Sequence, residues 1–393
     1  MIPRNLDPLL RRSATWYPVV TVTGPRQSGK TTLCKATFPS HTYVSLEPVD
    51  QRERARTDPR GFLQDCEDGA ILDEVQHVPD LLGYIQERVD EDPRPGRFIL
   101  TGSQNFSLSR ALSQSLAGRT AVLTLLPPSH DEIQRFASAP TTLDEALLAG
   151  SFPRIHDRQI PAQRWLADYV TTYVERDVRD ILNVGDLQAF STFVRLCAGQ
   201  SGGELNLSRL GADAGVSHNT ARSWLSVLET SYLFVRVPPW SRNLRKRLVK
   251  APKLHIADSG LHCHLLGIRS VDQLRHHPLR GAIFESWMAM EILKNRIHAG
   301  LSPDLAHYRE SRGLEVDLLV EGSESLTLVE AKAGATVHPD FVAPLGQLAR
   351  LLEEANESRA IRRRLCHGGN RTGTIGGTEL IPWSAIASAD WQS

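Results

Sequence analysis

Gly24-Pro25-Arg26-Gln27-Ser28-Gly29-Lys30-Thr31-Thr32 matches the phosphate-binding loop pattern G-x-x-x-x-G-K-[ST] at every fixed position. The run Pro18-Val19-Val20-Thr21-Val22-Thr23 ahead of it has the length and β-branched content of a buried parallel strand, and Thr31 to Ala36 behind it opens a helix. In that strand-loop-helix setting Gly24 and Gly29 let backbone amides turn toward phosphate oxygens, and the helix N-terminus adds partial positive charge. The loop from Gly24 to Thr32 therefore reads as an ATP site. Lys30 reaches the β- and γ-phosphates, and the Thr31 hydroxyl is a magnesium ligand.

A second stretch supports the first. In Gly69-Ala70-Ile71-Leu72-Asp73-Glu74-Val75-Gln76 an apolar strand ends in adjacent acids, the Walker B arrangement. Asp73 belongs to the magnesium shell and Glu74 lies beside the attacking water. One carboxylate for the metal and one for the water point to hydrolysis rather than nucleotide storage. A third strand, Arg97-Phe98-Ile99-Leu100-Thr101-Gly102-Ser103-Gln104, ends in small polar groups. Ser103 and Gln104 are candidate sensors of the γ-phosphate or the water, against the alternative of an ordinary turn.

These residues, with the later Ser115-Leu116-Ala117-Gly118-Arg119-Thr120, resemble the AAA+ superfamily, and most of all its prokaryotic ATP-binding proteins that carry a nuclease-like C-terminal domain. The resemblance runs to about residue 335. It implies that Arg119 is an arginine finger or a cis sensor, a role that its position before a strand does not itself require.

Length and composition set the frame. A chain of 393 residues exceeds one hydrophobic core and suggests several domains. Lys plus Arg and Asp plus Glu each total 45, so only local clusters can argue for nucleic acid. No apolar run approaches bilayer length and no signal-peptide core precedes the loop strand, so a cytoplasmic protein without membrane contact is expected. Cys34, Cys66, Cys197, Cys263 and Cys366 lack paired spacing and read as reduced thiols. His255, His262, Cys263 and His264 share their stretch with Leu261, Leu265 and Leu266, which favours an apolar helical stripe over a metal cluster.

Taken in order, the chain predicts an α/β protein: an AAA+ P-loop core over 1–135 with a parallel sheet covered on both faces, a helical lid over 136–200, a winged helix-turn-helix over 201–260, and a restriction-endonuclease-like domain over 261–393 ending in a weakly structured tail. A short helix spans Leu6 to Arg12, further helices span Arg52 to Gln64 and Pro79 to Val89, and strands span Thr42 to Glu47 and Ala121 to Leu126. Gly150-Ser151-Phe152-Pro153-Arg154 resembles a turn of the same family, and Glu175, Arg176, Asp177 and Arg179 read as a solvated face.

Helices over Leu207 to Ala214 and Ser217 to Thr230 are followed by the strand Tyr232 to Val237. Ser217 is the expected N-cap, and His218, Asn219, Thr220 and Arg222 take recognition-helix positions. Arg242, Arg245, Lys246, Arg247, Lys250 and Lys253 make the patch 242–253 basic, a surface suited to DNA phosphates; protein docking is the other use of such a fold. Oligomerisation and a protein partner stay open.

Near the C-terminus, Glu330 and Lys332 are two apart on the apolar strand Leu326-Thr327-Leu328-Val329-Glu330-Ala331-Lys332, so alternation puts both on one face. Asp317 lies on the preceding strand and Glu285 on the helix Gly281 to Leu293. The set resembles the PD-(D/E)xK nuclease core, without the proline before the first acid. That resemblance implies magnesium or manganese on Asp317 and Glu330, Glu285 completing the shell, and Lys332 orienting water or stabilising phosphorane charge. A structural Glu-Lys pair is the alternative.

Overall fold

A computed structural model of the chain describes residues 2–102, 112, 114–173, 186–241, 251–310, and 313–392. They fall into two units, one of Met1–Pro128 with Thr230–Tyr232 and His298–Gly300, the other of Ser129–Glu229, Leu233–Ile297 and Leu301–Ser393.

The first unit is built on β1 (Val19–Thr23), β2 (Thr42–Ser45), β3 (Ala70–Asp73), β4 (Phe98–Gly102) and β5 (Thr120–Thr124), all parallel in the order β2-β3-β4-β1-β5. Every residue of β1, β3 and β4 is buried, as continuous apolar runs in a sheet covered on both faces require. The helix expected over Arg52 to Gln64 is two helices, Val49–Thr57 and Pro59–Gln64. Pro59 disfavours helical geometry at Asp58, which sits at φ −134° and caps the second helix by accepting from Gly61 N.

In the second unit, helices including Leu143–Ala149, Ala162–Tyr169 and Leu187–Gly199 share a core around Phe152, Phe190, Phe193 and Trp224. The helices Leu207–Asp213 and His218–Thr230 follow, then β6 (Phe234–Val237) antiparallel to β7 (Lys253–Ile256). The basic residues 242–250 lie outside the described residues, as do Glu175, Arg176, Asp177 and Arg179. A six-stranded sheet closes the unit, ordered β12-β13-β11-β10-β9-β8, with β8 Leu305–Arg309, β9 Glu315–Glu321, β10 Ser325–Lys332, β11 Ala360–His367, β12 Gly373–Ile375 and β13 Thr378–Pro382.

The chain after residue 340 is therefore not a weakly structured tail. The helix Ala343–Glu354 carries it from β10 to β11, which pairs in parallel from Ser325 opposite Ala360 to Lys332 opposite His367. The run Arg362-Arg363-Arg364 interrupts the apolar alternation of β11, whose buried end runs over 364–367. Gly368 is required just beyond, because a Cβ there would meet the Ala333 carbonyl oxygen at 2.1 Å. The segments expected as lid, winged helix and nuclease-like domain fall within the second unit, apart from residues 230–232 and 298–300.

Candidate functional site

The loop after β1 is shaped by its glycines. A Cβ on Gly24 would meet the Leu125 carbonyl oxygen at 2.1 Å, and Gly29 adopts φ 95° immediately before the helix Lys30–Thr37. Lys30 Nζ is buried and donates to the Gly24 and Pro25 carbonyls at 3.0 and 2.9 Å. Burial pulls its pKa down, and Glu74 and Asp73 oppose that pull. Buried Arg4 braces the loop, donating to Ser28 O and Leu126 O at 2.8 Å each.

Asp73, at the end of β3, collects hydroxyls. Thr31 Oγ1 donates to it at 3.0 Å, Tyr43 Oη donates to Oδ2 at 2.9 Å, and Thr101 Oγ1 donates to Oδ1. Tyr43 comes from β2 and Thr101 from β4, the strands flanking β3. Glu74 adopts left-handed geometry at φ 59° and accepts from Gln76 Nε2. A carboxylate beside a threonine hydroxyl under a phosphate loop is the donor chemistry that a hydrated magnesium ion takes. Sequence reasoning misses Arg4, Tyr43 and Thr101. The signal for Thr101 is its hydroxyl inside Ile99-Leu100-Thr101-Gly102, whereas the sensor candidates Ser103 and Gln104 lie outside the described residues.

Arg119 does not serve as a cis sensor in this arrangement. It precedes β5, and its carbonyl accepts from Val19 N at the start of β1, so it stands at the end of the sheet away from the loop that follows Thr23. Its guanidinium pairs with Asp90 at 2.5 and 2.9 Å.

In the second unit the β9–β10 ladder runs from Glu321–Leu326 to Leu318–Val329 and stops. At the fork Asp317 Oδ2 accepts from Ala331 N at 2.9 Å, and Lys332 Nζ lies 2.6 Å from Glu330 Oε1. Asp317 and Glu330 line an open cleft of about 770 Å³ together with Glu310, Glu315 and Gln347. Glu285, from the helix Arg280–His298, pairs at 2.8 Å with Lys253 Nζ. Lys253 also lies 2.9 Å from Glu315 and 3.7 Å from Asp317. Its place in the DNA-facing patch is thereby corrected: its side chain is 2% exposed, because β7 turns it inward onto carboxylates.

Burial raises Glu285 to about 8 and Glu330 to about 7, with Asp317 adding to both and Lys253 and Lys332 opposing. Burial would lower Lys253, but Glu285 and Asp317 outweigh it and its pKa rises. Among the described residues no three His, Cys, Asp or Glu side chains are set to hold one metal ion. His255 bonds Ser286 Oγ, His262 bonds the Ala198 carbonyl and His264 bonds Gln163, so each ring is tied into its packing by one nitrogen. All five cysteines are free and buried. No helix among the described residues is long and apolar enough to cross a membrane.

Residues 17–134 match the family described as AAA domain, residues 140–272 a domain of unknown function, DUF8612, and residues 280–386 another, DUF4143. The uncharacterized proteins Mb2031c of Mycobacterium bovis and Rv2008c of Mycobacterium tuberculosis are each 32% identical over 329 residues, 81% of this chain and 71% of theirs. The chain belongs to their family. Its first unit carries an AAA-type P-loop ATPase domain. Among solved structures, the Walker-type ATPase PABY2304 of Pyrococcus abyssi aligns over 67% of this chain and 96% of its own at 15% identity and TM-score 0.46. A RuvB variant of Thermotoga maritima aligns over 63% of this chain and 95% of its own at 21% identity and TM-score 0.31.

Proposed function

We propose that the protein is a magnesium-dependent ATPase that acts on or guards DNA, with ATP turnover gating a nuclease-like domain. The observation that carries the ATPase half is Asp73 bonded by Thr31 beneath the loop, with Glu74 next to it. Lys30 neutralises β- and γ-phosphate charge, and Glu74 takes the proton of the attacking water. Magnesium bound through Thr31 and Asp73 would supply charge to the bridging phosphate oxygens. The sequence patch 242–250 and the exposed His218, Asn219 and Arg222 at the start of their helix support DNA as the partner. Ser217 Oγ accepts from Thr220 N at 3.1 Å and caps that helix.

The nuclease-like half rests on the cleft. Glu330 Oε2 is buried without a hydrogen-bond partner, an orphaned acceptor that a divalent cation would satisfy alongside Asp317. Lys332 then stands beside the reacting phosphate, and Glu285 is the expected third group. A second reading, a signalling or scaffold ATPase whose C-terminal domain binds protein and cleaves nothing, is favoured by the ammonium of Lys253 among the acids. Cleavage of plasmid and single-stranded DNA with magnesium or manganese, with and without ATP, separates the two. Metal-dependent cleavage lost in Asp317→Asn supports the first reading, and its absence under every condition supports the second.

A further inference from the structure

A buried cation lies behind the acid cleft. Lys253 Nζ is clamped between Glu285 at 2.8 Å and Glu315 at 2.9 Å. Asp317 Oδ1, at 3.7 Å, is only loosely held by it. On the other side, Lys332 engages Glu330 Oε1 and leaves the buried Oε2 without a partner. Acceptor capacity is therefore spent in the Glu285–Glu315 half and spare in the Asp317–Glu330 half.

We infer that the cleft takes a single divalent cation, through Asp317 and Glu330, and that Lys253 occupies the Glu285–Glu315 half as a permanent second cation. The inference rests on the metal-binding reading above and narrows it: Glu285 serves the lysine rather than the metal. An ammonium can balance charge, but it cannot act as a Lewis acid or lower the pKa of a bound water as a metal does, so the site is a one-metal site. The convergence of Glu285 and Glu315 on the ammonium instead of on a common metal position also accounts for the lack of a three-ligand group among the described residues.

The test counts manganese on the full chain without nucleotide, in a Lys30→Ala background, by electron paramagnetic resonance of free ion and by calorimetry. One ion per chain is expected. Lys253→Met should admit a second ion, while Lys253→Arg should keep the count at one. Asp317→Asn, which removes a ligand, should weaken affinity much more than Glu285→Gln, whose loss falls on the lysine. Two ions in the parent, an unchanged count in a folded Lys253→Met protein, or a loss in Glu285→Gln as large as that in Asp317→Asn would each overturn the role of Lys253 and leave the metal site standing. No ion in the parent but one in Lys253→Met would mean that the lysine blocks the whole cleft, which also overturns the inference. No ion in any variant sinks the metal reading itself, and this inference with it.

Discussion

Two carboxylate sites in this chain are compensated in opposite ways. Asp73 is surrounded by hydroxyls from Thr31, Tyr43 and Thr101, which satisfy its oxygens while leaving its charge in place. Glu285, Asp317 and Glu330 are met by ammoniums, which cancel charge as well as bonding. Hydroxyl donors keep a carboxylate anionic and ready for a metal, whereas an ammonium in the same place competes with one. The first site reads as poised for a cation that arrives with its nucleotide, the second as largely supplied with cations of its own.

The widest separation between the two should come from the residues that handle phosphate and water. Lys30→Ala should abolish ATP binding, and Glu74→Gln should keep binding but lower turnover roughly 10²- to 10⁴-fold, because an amide cannot take a proton. Binding is read by nucleotide titration and turnover by phosphate release. Turnover in Glu74→Gln equal to the parent would remove the ATPase half of the contrast.

These two sites are not equally legible in the sequence. The loop and Asp73-Glu74 are contiguous motifs whose chemistry is set by a handful of neighbours, so strand, loop and acid can all be named. The partner of Glu285 cannot, because Lys253 belongs to a cation-rich stretch and only the β6–β7 pairing turns it inward. Tyr43 and Arg4 escape for a related reason: each acts across the fold on a group far away in sequence. The strands beyond residue 340 are hidden because the three arginines of β11 outweigh its short apolar end.

Acid should separate the units next. Burial holds His255 down to about 3, helped by Lys253, and His262 down to about 4. Both belong to the second unit. Each is neutral when folded, so nothing is lost above the unfolded value of 6.5. As pH falls below it the unfolded chain takes up protons that the folded one refuses, at about 1.4 kcal/mol per pH unit for each group. Glu285 and Glu330, raised to about 8 and 7, act in the opposite sense down to their unfolded value of 4.5, but burial also holds His130, His264 and His307 of the same unit down to about 4, so the histidines prevail. Six of the seven tryptophans lie in the second unit and only Trp16 in the first, so intrinsic fluorescence should report loss of packing between about pH 6.5 and 4. A fluorescence profile flat across that window would mean that these histidines gain protons without unfolding.

The nucleic-acid reading bears on whether the second site ever meets a phosphodiester. Joint neutralisation of Arg245, Lys246 and Arg247 should weaken DNA binding and reduce the salt slope by up to about 0.9 for each lost phosphate contact. Binding isotherms at several salt concentrations measure both. Unchanged affinity would leave the helix pair and its strands as a protein-docking element and tilt the second site toward the structural alternative.

The smallest expected effect sharpens the comparison most, because it changes one hydroxyl and nothing else. Burial, with Asp73 adding to it, pushes Tyr43 up to about 12, so the phenol stays protonated and donates to Asp73 throughout the working range. Tyr43→Phe leaves the Thr31 and Thr101 hydroxyls on the carboxylate and keeps the ring, over which Lys35 Nζ sits 3.7 Å from the centroid. Loss of one such hydrogen bond costs about 0.5–1.5 kcal/mol, roughly two- to tenfold in the magnesium concentration needed for half-maximal turnover. The direction distinguishes two roles. If the hydroxyl holds Asp73 in position for the metal, the magnesium requirement rises while ATP affinity measured without metal stays constant. If instead Tyr43 competes with the metal for Asp73 Oδ2, the requirement falls by a similar factor, and hydroxyls would then have to be counted, with Lys253, among the groups that a cation must displace.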